Sequence, residues 1–229
     1  MIADSINNCE VMADIGSDHA YLPIYLTKNK KAKRAIASDV NKGPVETAKK
    51  RIKGNNADDA VDVRHGNGLE VLKPGEADVI VIAGMGGILM TEILSGGKDI
   101  TCRAGILVLQ PMRDSDKVRR WLCENGFDIV DEELVKEDYK IYEIIWARPQ
   151  QGEKPAGERP GCGEPMYIGK KILEKKHPLA AELVARRIGE YEKVMAALKG
   201  QDTANSRERM EECRTMLDYY GNVAKLLYI

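Results

Sequence analysis

DIGSDHAYLP, residues 14–23, lies directly behind the apolar pair Val11-Met12, and its reading decides the fold. The apolar pair belongs to a strand, and the chain after the loop turns into a helix. Between them a single glycine, Gly16, is surrounded by Asp14, Asp18 and His19. A strand-to-helix turn that holds phosphate needs glycines and bare amides, because anions sit on exposed N–H groups at a helix N-terminus. Carboxylates stand here instead, so the loop serves a ligand of different charge.

Outward from this loop, residues 11–148 alternate short apolar runs with amphipathic stretches, the βαβα pattern of a mostly parallel sheet covered by helices. Strands are predicted at 10–15, 34–39, 61–65, 79–83, 105–110, 128–137 and 139–147, with helices such as 44–53 and 114–125 between them. The last two strands leave no room for a helix and form an antiparallel hairpin at the sheet edge. Residues 149–165, with four prolines and four glycines, read as a linker. Beyond it, Leu173, His177, Ala180, Val184, Ile188, Tyr191, Met195 and Leu198 recur at spacings of three or four, and so do Met210, Cys213, Leu217, Tyr220, Ala224 and Leu227. Two amphipathic helices packed as an antiparallel, coiled-coil-like hairpin are expected over 166–229.

Composition narrows the function classes. A net charge of -1 gives no global basic field of the kind that marks many nucleic-acid binders, although the part after residue 150 is mildly basic. Five scattered cysteines without a CxxC pair point to reduced thiols, and three dispersed histidines give no metal site. No run reaches the roughly 18 apolar residues of a membrane span, and MIADSINN has no signal-peptide pattern. A soluble, cytoplasmic, metal-free protein is expected, working as a monomer.

In an open α/β sheet the ligand lies beyond the carboxyl ends of the strands, beside the first strand. A dinucleotide loop reads GxGxxG, whereas here Asp18 takes the place of the second glycine and Tyr21 that of the third. A carboxylate facing a pyrophosphate is repelled. S-adenosylmethionine removes the conflict, since it carries an adenosine without phosphate, an α-ammonium and a sulfonium, all compatible with nearby carboxylates. Asp39 ends the second strand 23 residues after Gly16, close to the ~20-residue offset at which an acid reaches ribose hydroxyls. HGNGLEVL (65–72) sets Asn67 where its amide can pair with an adenine edge, and AGMGG (83–87) follows the fourth strand. Singly, each has a plainer reading: Asp18 or His19 as a helix cap, Asp39 as a turn residue, the glycines as points of close helix–strand approach. Four successive strand ends with such chemistry favour a cofactor.

DIGSDHAYLPIYL, SDVNKGPVETAKKRI, GNGLEVL, DVIVIAGMGG, LVLQPMRDSDKVRRWL and YKIYEII together resemble the bacterial tRNA adenine N1-methyltransferases that act at position 22 in the D-arm region. The resemblance runs over nearly the whole chain. It implies a Rossmann-like class I methyltransferase domain over 1–148, S-adenosylmethionine as donor, tRNA as substrate and a C-terminal coiled-coil domain that helps hold the tRNA. By position, it implies that Asp14, Gly16, Ser17, Asp18, His19 and Ala20 form the first cofactor loop, that Asp39 holds the ribose and that Asn67 and Gly68 flank the adenine. It further implies that Gly84, Met85, Gly86 and Gly87, with Gln110 and Pro111, line the floor beneath the transferable methyl group. Three departures stand out. Asn67 replaces the usual aspartate of GDGL, Met112 replaces the asparagine of QPN, and the helix before the first strand is shorter than in the family.

Adenine N1 carries an in-plane lone pair, so its methylation needs positioning and electrostatics more than a strong base. The base must be splayed out of the folded tRNA and stacked on an aromatic side chain. Tyr21 is the candidate for that contact, with Asp18 orienting the cofactor or offsetting positive charge. Among the basic clusters, Arg113, Lys117, Arg119 and Arg120 lie nearest the expected site and are the candidate tRNA contacts. Two rivals remain at this stage: a non-catalytic RNA- or partner-binding module with a decayed pocket, and a methyltransferase of rRNA or a small molecule.

Overall fold

The computed structural model describes residues 1–6, 8–150, 166–201 and 203–227. Seven strands form one sheet: β1 (Cys9–Ile15), β2 (Ala32–Asp39), β3 (Val61–His65), β4 (Val79–Gly86), β5 (Ile106–Arg113), β6 (Phe127–Glu137) and β7 (Lys140–Pro149). Their order is β3-β2-β1-β4-β5-β7-β6. The first five run parallel and β7 pairs antiparallel with β5, so the predicted doubly wound sheet with an antiparallel edge is the fold.

Side-chain alternation divides the core into two layers. On β4, Val79 and Val81 face one side with Ala35 and Ala37 of β2, where α2 (Tyr21–Lys28) and α3 (Lys42–Gly54) contribute Ile24, Leu26, Ala48 and Ile52. Ile80 and Ile82 face the other side, where α4 (Gly87–Gly96) and α6 (Ser115–Glu124) add Met90, Leu94, Val118 and Leu122. The strands are apolar on both faces, as a parallel sheet covered by helices requires.

Two predicted strand ends fall short of the observed ones. β4 continues through the AGMG stretch and β5 through QPMR, paired with register shifts around Met85. Gly84 enters this irregularity at φ +76°, a conformation open to glycine at little cost. The AGMGG stretch is therefore the end of a strand and the first residue of a helix rather than a free loop.

Chain contacts define two compact units, Met1–Val135 with Tyr142–Lys171, and Lys136–Ile141 with Ile172–Ile229. Within the second, α8 (Ala180–Leu198) and α9 (Ala204–Leu227) pack together, with Tyr191 stacked on Tyr220 at 6.0 Å. The predicted stripe from Leu173 onward is interrupted, because Pro178 disfavours helical geometry at His177 and α8 begins only at Ala180. The predicted linker at 151–165 lies outside the described residues, as does Cys162. Cys9, Cys102 and Cys213 are free thiols, whereas Cys123 is disulfide-bonded, contrary to the expectation of reduced thiols throughout.

Candidate active site at the carboxyl edge of the sheet

The carboxyl ends of β1 to β5 bring most of the predicted residues to one edge. After β1, Gly16 and Ser17 donate their backbone N–H groups to Ser38 O, each at 2.8 Å, which ties the loop to the end of β2. Gly16 has φ +77°, and a Cβ there would lie 2.1 Å from Met85 Cε, so the first and fourth strand ends touch through a glycine. Ala20 adopts the left-handed conformation and launches α2, whose first turn accepts Pro23.

This turn exposes Tyr21, with 62% of its surface open, rather than packing it into the helix layer. The Tyr21 ring lies 5.6 Å from that of His19, whose Nε2 is 3.1 Å from Asp18 Oδ2. Asp39 has one carboxylate oxygen occupied, since Oδ1 accepts the Asn41 N–H at 2.7 Å. It is thus the turn residue of the plainer reading and still presents a second oxygen. Asn67 is exposed and precedes Gly68, which has φ +52° and leads a short 3-10 turn over 68–71. The loop around it is pinned by Arg64, whose guanidinium spans Glu76 at 2.7 and 2.8 Å and Val71 O at 2.8 Å. Hydrogen bonding to Arg64 holds the Glu76 carboxyl down at about 2.

At the end of β4, Gly84 N–H donates to Gln110 Oε1 at 3.1 Å, and Gln110 Nε2 donates to Pro111 O at 3.2 Å and contacts Met112 Sδ at 3.5 Å. The Gln110 amide is therefore a brace between two strand ends. Gly84 has open space where a Cβ would stand, whereas a Cβ on Gly87 would fall 2.2 Å from Asp114 O. The first suits close approach of a ligand and the second close approach of helix and loop.

The polar groups fit a cationic nucleoside ligand. Three buried side-chain atoms among the described residues lack a hydrogen-bond partner: Ser17 Oγ, His19 Nδ1 and Arg51 Nε. Two lie in the first loop and the third on α3. Orphaned polar groups are rare in folded interiors, and the two in the first loop suit a ligand that completes their bonding. Desolvation pushes the Asp14 carboxyl up to about 6, and the Ser17 hydroxyl opposes this without reaching hydrogen-bond geometry. A carboxylate so desolvated favours a cation beside it.

One predicted contact is misplaced. Arg119 is 1% exposed and pairs with Glu132 at 2.6 Å and Glu143 at 2.5 Å, so it cannot meet RNA phosphates. Arg113, Lys117 and Arg120 remain on the surface. Most other basic residues are engaged locally: Lys33 with Glu10 at 2.6 Å, Lys31 with Ala3 O at 2.8 Å, Arg187 with Glu190 at 3.1 Å. Among the described residues no group of three or more His, Cys, Asp or Glu is placed to hold a metal ion, and no helix is long and apolar enough to cross a membrane.

A family model described as a methyltransferase domain matches residues 1–145. Over 224 residues, covering 97% of this chain and 93% of the relative, the sequence is 35% identical to the tRNA (adenine(22)-N(1))-methyltransferase of Bacillus subtilis. The chain belongs to the tRNA (adenine(22)-N(1))-methyltransferase family. The crystal structure of the B. subtilis M1A22 tRNA methyltransferase TrmK superposes with a TM-score of 0.84 at 35% identity, covering 97% of this chain and 95% of that one. Streptococcus pneumoniae Sp1610 in complex with S-adenosyl-L-methionine gives 0.75 at 31% identity, with 94% and 96% covered.

In this member of the tRNA (adenine(22)-N(1))-methyltransferase family, the raised Asp14 pKa makes a stability prediction. Folding favours the protonated acid, so the contribution of Asp14 is full below about pH 4 and is lost as pH rises through about 6. Asp14→Asn should lack that loss. Its thermal midpoint relative to wild type should climb between pH 4 and 7; a pH-independent difference between the two would refute the assignment. Arg51, in contrast, was not signalled by any motif, because an arginine in the last turn of an amphipathic helix looks like an ordinary solvated residue.

Proposed function

We infer that this chain is an S-adenosylmethionine-dependent methyltransferase that modifies N1 of adenine 22 in tRNA. The observation that carries the reading is the acid-rich glycine loop after β1, with its orphaned Ser17 and His19 atoms, in a chain aligned almost end to end with the B. subtilis enzyme. A tRNA substrate gives the enzyme a cytoplasmic workplace.

The site residues take roles that follow from their chemistry. Asp14 and Asp18 supply negative charge for an α-ammonium, and the free oxygen of Asp39 accepts from ribose hydroxyls. The exposed Asn67 amide reads the adenine edge of the cofactor. Bound there, S-adenosylmethionine supplies an electrophilic methyl group on a sulfonium. The Gln110 brace holds the ends of β4 and β5 together beneath the transfer position. Tyr21 offers an exposed ring on which the target adenine stacks, which holds the N1 lone pair in line. Adenine N1 is unprotonated at neutral pH, so no side chain has to remove a proton before attack. The methylated base becomes cationic, and the carboxylates around the loop offset that charge.

Calorimetric titration with S-adenosylhomocysteine, with NAD as control, tests the pocket. Saturable one-to-one binding of the first and none of the second is the expected result. Binding of neither ligand would favour a decayed pocket.

Arg113, Lys117 and Arg120 are assigned to tRNA phosphates, supported by their exposure and by the weak local pairing of Arg113 with Asp114 at 3.6 Å and Lys117 with Asp116 at 3.9 Å. Replacing all three with glutamine should lower the slope of log affinity against log salt by about 2 to 3, roughly 0.7 to 0.9 per lost contact. An unchanged slope would remove these residues from the interface. The helical unit is assigned to the body of the tRNA.

A further inference from the structure

The guanidinium of Arg51 lies over the face of the Tyr21 ring, 4.0 Å from its centroid. Arg51 sits in the last turn of α3 and Tyr21 at the first position of α2, directly after the loop that follows β1, so the contact joins the two helices. Among the described residues the Arg51 side chain has neither an ion pair nor a hydrogen bond, and its Nε is buried without a partner. The rest of the side chain is only partly buried. The group its guanidinium meets is the negative face of the Tyr21 ring, and cation–π attraction strengthens as the cation loses water.

The consequence falls on Tyr21. A tyrosine at a helix N-terminus with 62% of its surface exposed has few neighbours to fix its rotamer. His19 meets the ring at an interplanar angle of 59° and does not lie flat against it. The contact over the ring face comes from Arg51, which holds the ring while most of the residue stays open.

We propose that Arg51 is a positioning residue for methyl transfer: it holds the Tyr21 ring in the plane on which the target adenine stacks. This rests on the assignment of Tyr21 as the stacking residue. Arg51 does not touch the reacting atoms. Its charge contributes through the ring, so its effect exists only while Tyr21 is present.

A double-mutant cycle tests this, with steady-state methylation of tRNA and S-adenosylhomocysteine titration on each variant. Arg51→Met should lower kcat about fivefold to tenfold, the scale of a partly desolvated cation–π contact. The KM for S-adenosylmethionine and the affinity for S-adenosylhomocysteine should stay within about twofold, which also verifies folding. Arg51→Lys, which keeps the cation, should recover part of the loss. In the Tyr21→Ala background, Arg51→Met should cost nothing more. Equal losses in both backgrounds would overturn the proposal, since Arg51 would then act on the tRNA by itself. A large effect of Tyr21→Ala with none from Arg51→Met would overturn it while leaving the stacking role intact. No effect of Tyr21→Ala would remove the stacking role, and the proposal with it.

Discussion

Arg119→Met lowers the unfolding free energy by about 3–5 kcal/mol, the scale on which a buried ion pair is broken by removing one partner. The expectation comes from how completely the guanidinium is enclosed. Nε donates to Glu132 Oε1 at 2.6 Å, Nη2 to Glu143 Oε2 at 2.5 Å, and Nη1 to Ser115 Oγ at 3.1 Å and Met166 O at 3.2 Å. Ser115 Oγ in turn donates to Glu143 Oε1 at 2.9 Å, and the Lys171 N–H donates to Glu132 Oε2 at 3.1 Å. Burial opposes the charge on Arg119, but Glu143 and Glu132 outweigh it and hold the guanidinium protonated. Without it, two buried carboxylates lose their counter-charge. Urea unfolding at pH 7 checks the expectation, and a loss under about 1 kcal/mol would show that the cluster is dispensable. Adding Glu132→Gln and Glu143→Gln should restore much of the stability.

The second large effect concerns activity. Gly87 opens α4, and a Cβ there would stand 2.2 Å from Asp114 O and 2.9 Å from Arg113 O. Both are backbone atoms, so Gly87→Ala must push the loop after β5 away rather than rotate a side chain. That loop follows Gln110, Pro111 and Met112, the brace beneath the transfer position. A displacement of about 1 Å at a reacting site costs on the order of 100-fold, while overpacking costs about 1–3 kcal/mol of stability. Methyl transfer should fall about 100-fold with a cooperative unfolding transition still present. Wild-type turnover in the variant would mean that the loop yields without moving the motif.

The sheet was legible because parallel strands covered on both faces are apolar along their length. Val79 to Ile82 announce a strand without any alternation to search for. Its continuation through Gly84 and Gly86 was not legible, since glycine in a strand lacks the propensity signal and reads as a loop. Arg119 was misread for a different reason. Lys117, Arg119 and Arg120 lie within four residues of one another, yet a helix separates neighbours by 100°. Arg119 falls on the face of Ser115, Val118 and Leu122, while Lys117 and Arg120 point outward. The amphipathic pattern contained that information; the partner carboxylates, on strands β6 and β7, did not reveal themselves by spacing.

The cofactor loop was read mainly from what it lacks, a second glycine. Its ties to Ser38 O and the contact between Gly16 and Met85 depend on neighbours from β2 and β4 that no local pattern names. Arg51 belongs to the same class, visible only once α2 and α3 stand side by side.

The most direct test of the central claim is methylation of an unmodified tRNA transcript with adenosine at position 22, followed by digestion and mass analysis, with a guanosine-22 transcript as control. The account predicts one N1-methyladenosine per tRNA, at position 22, and none in the control. Methyl groups elsewhere, equal incorporation into the control, or none in either despite S-adenosylhomocysteine binding would contradict it.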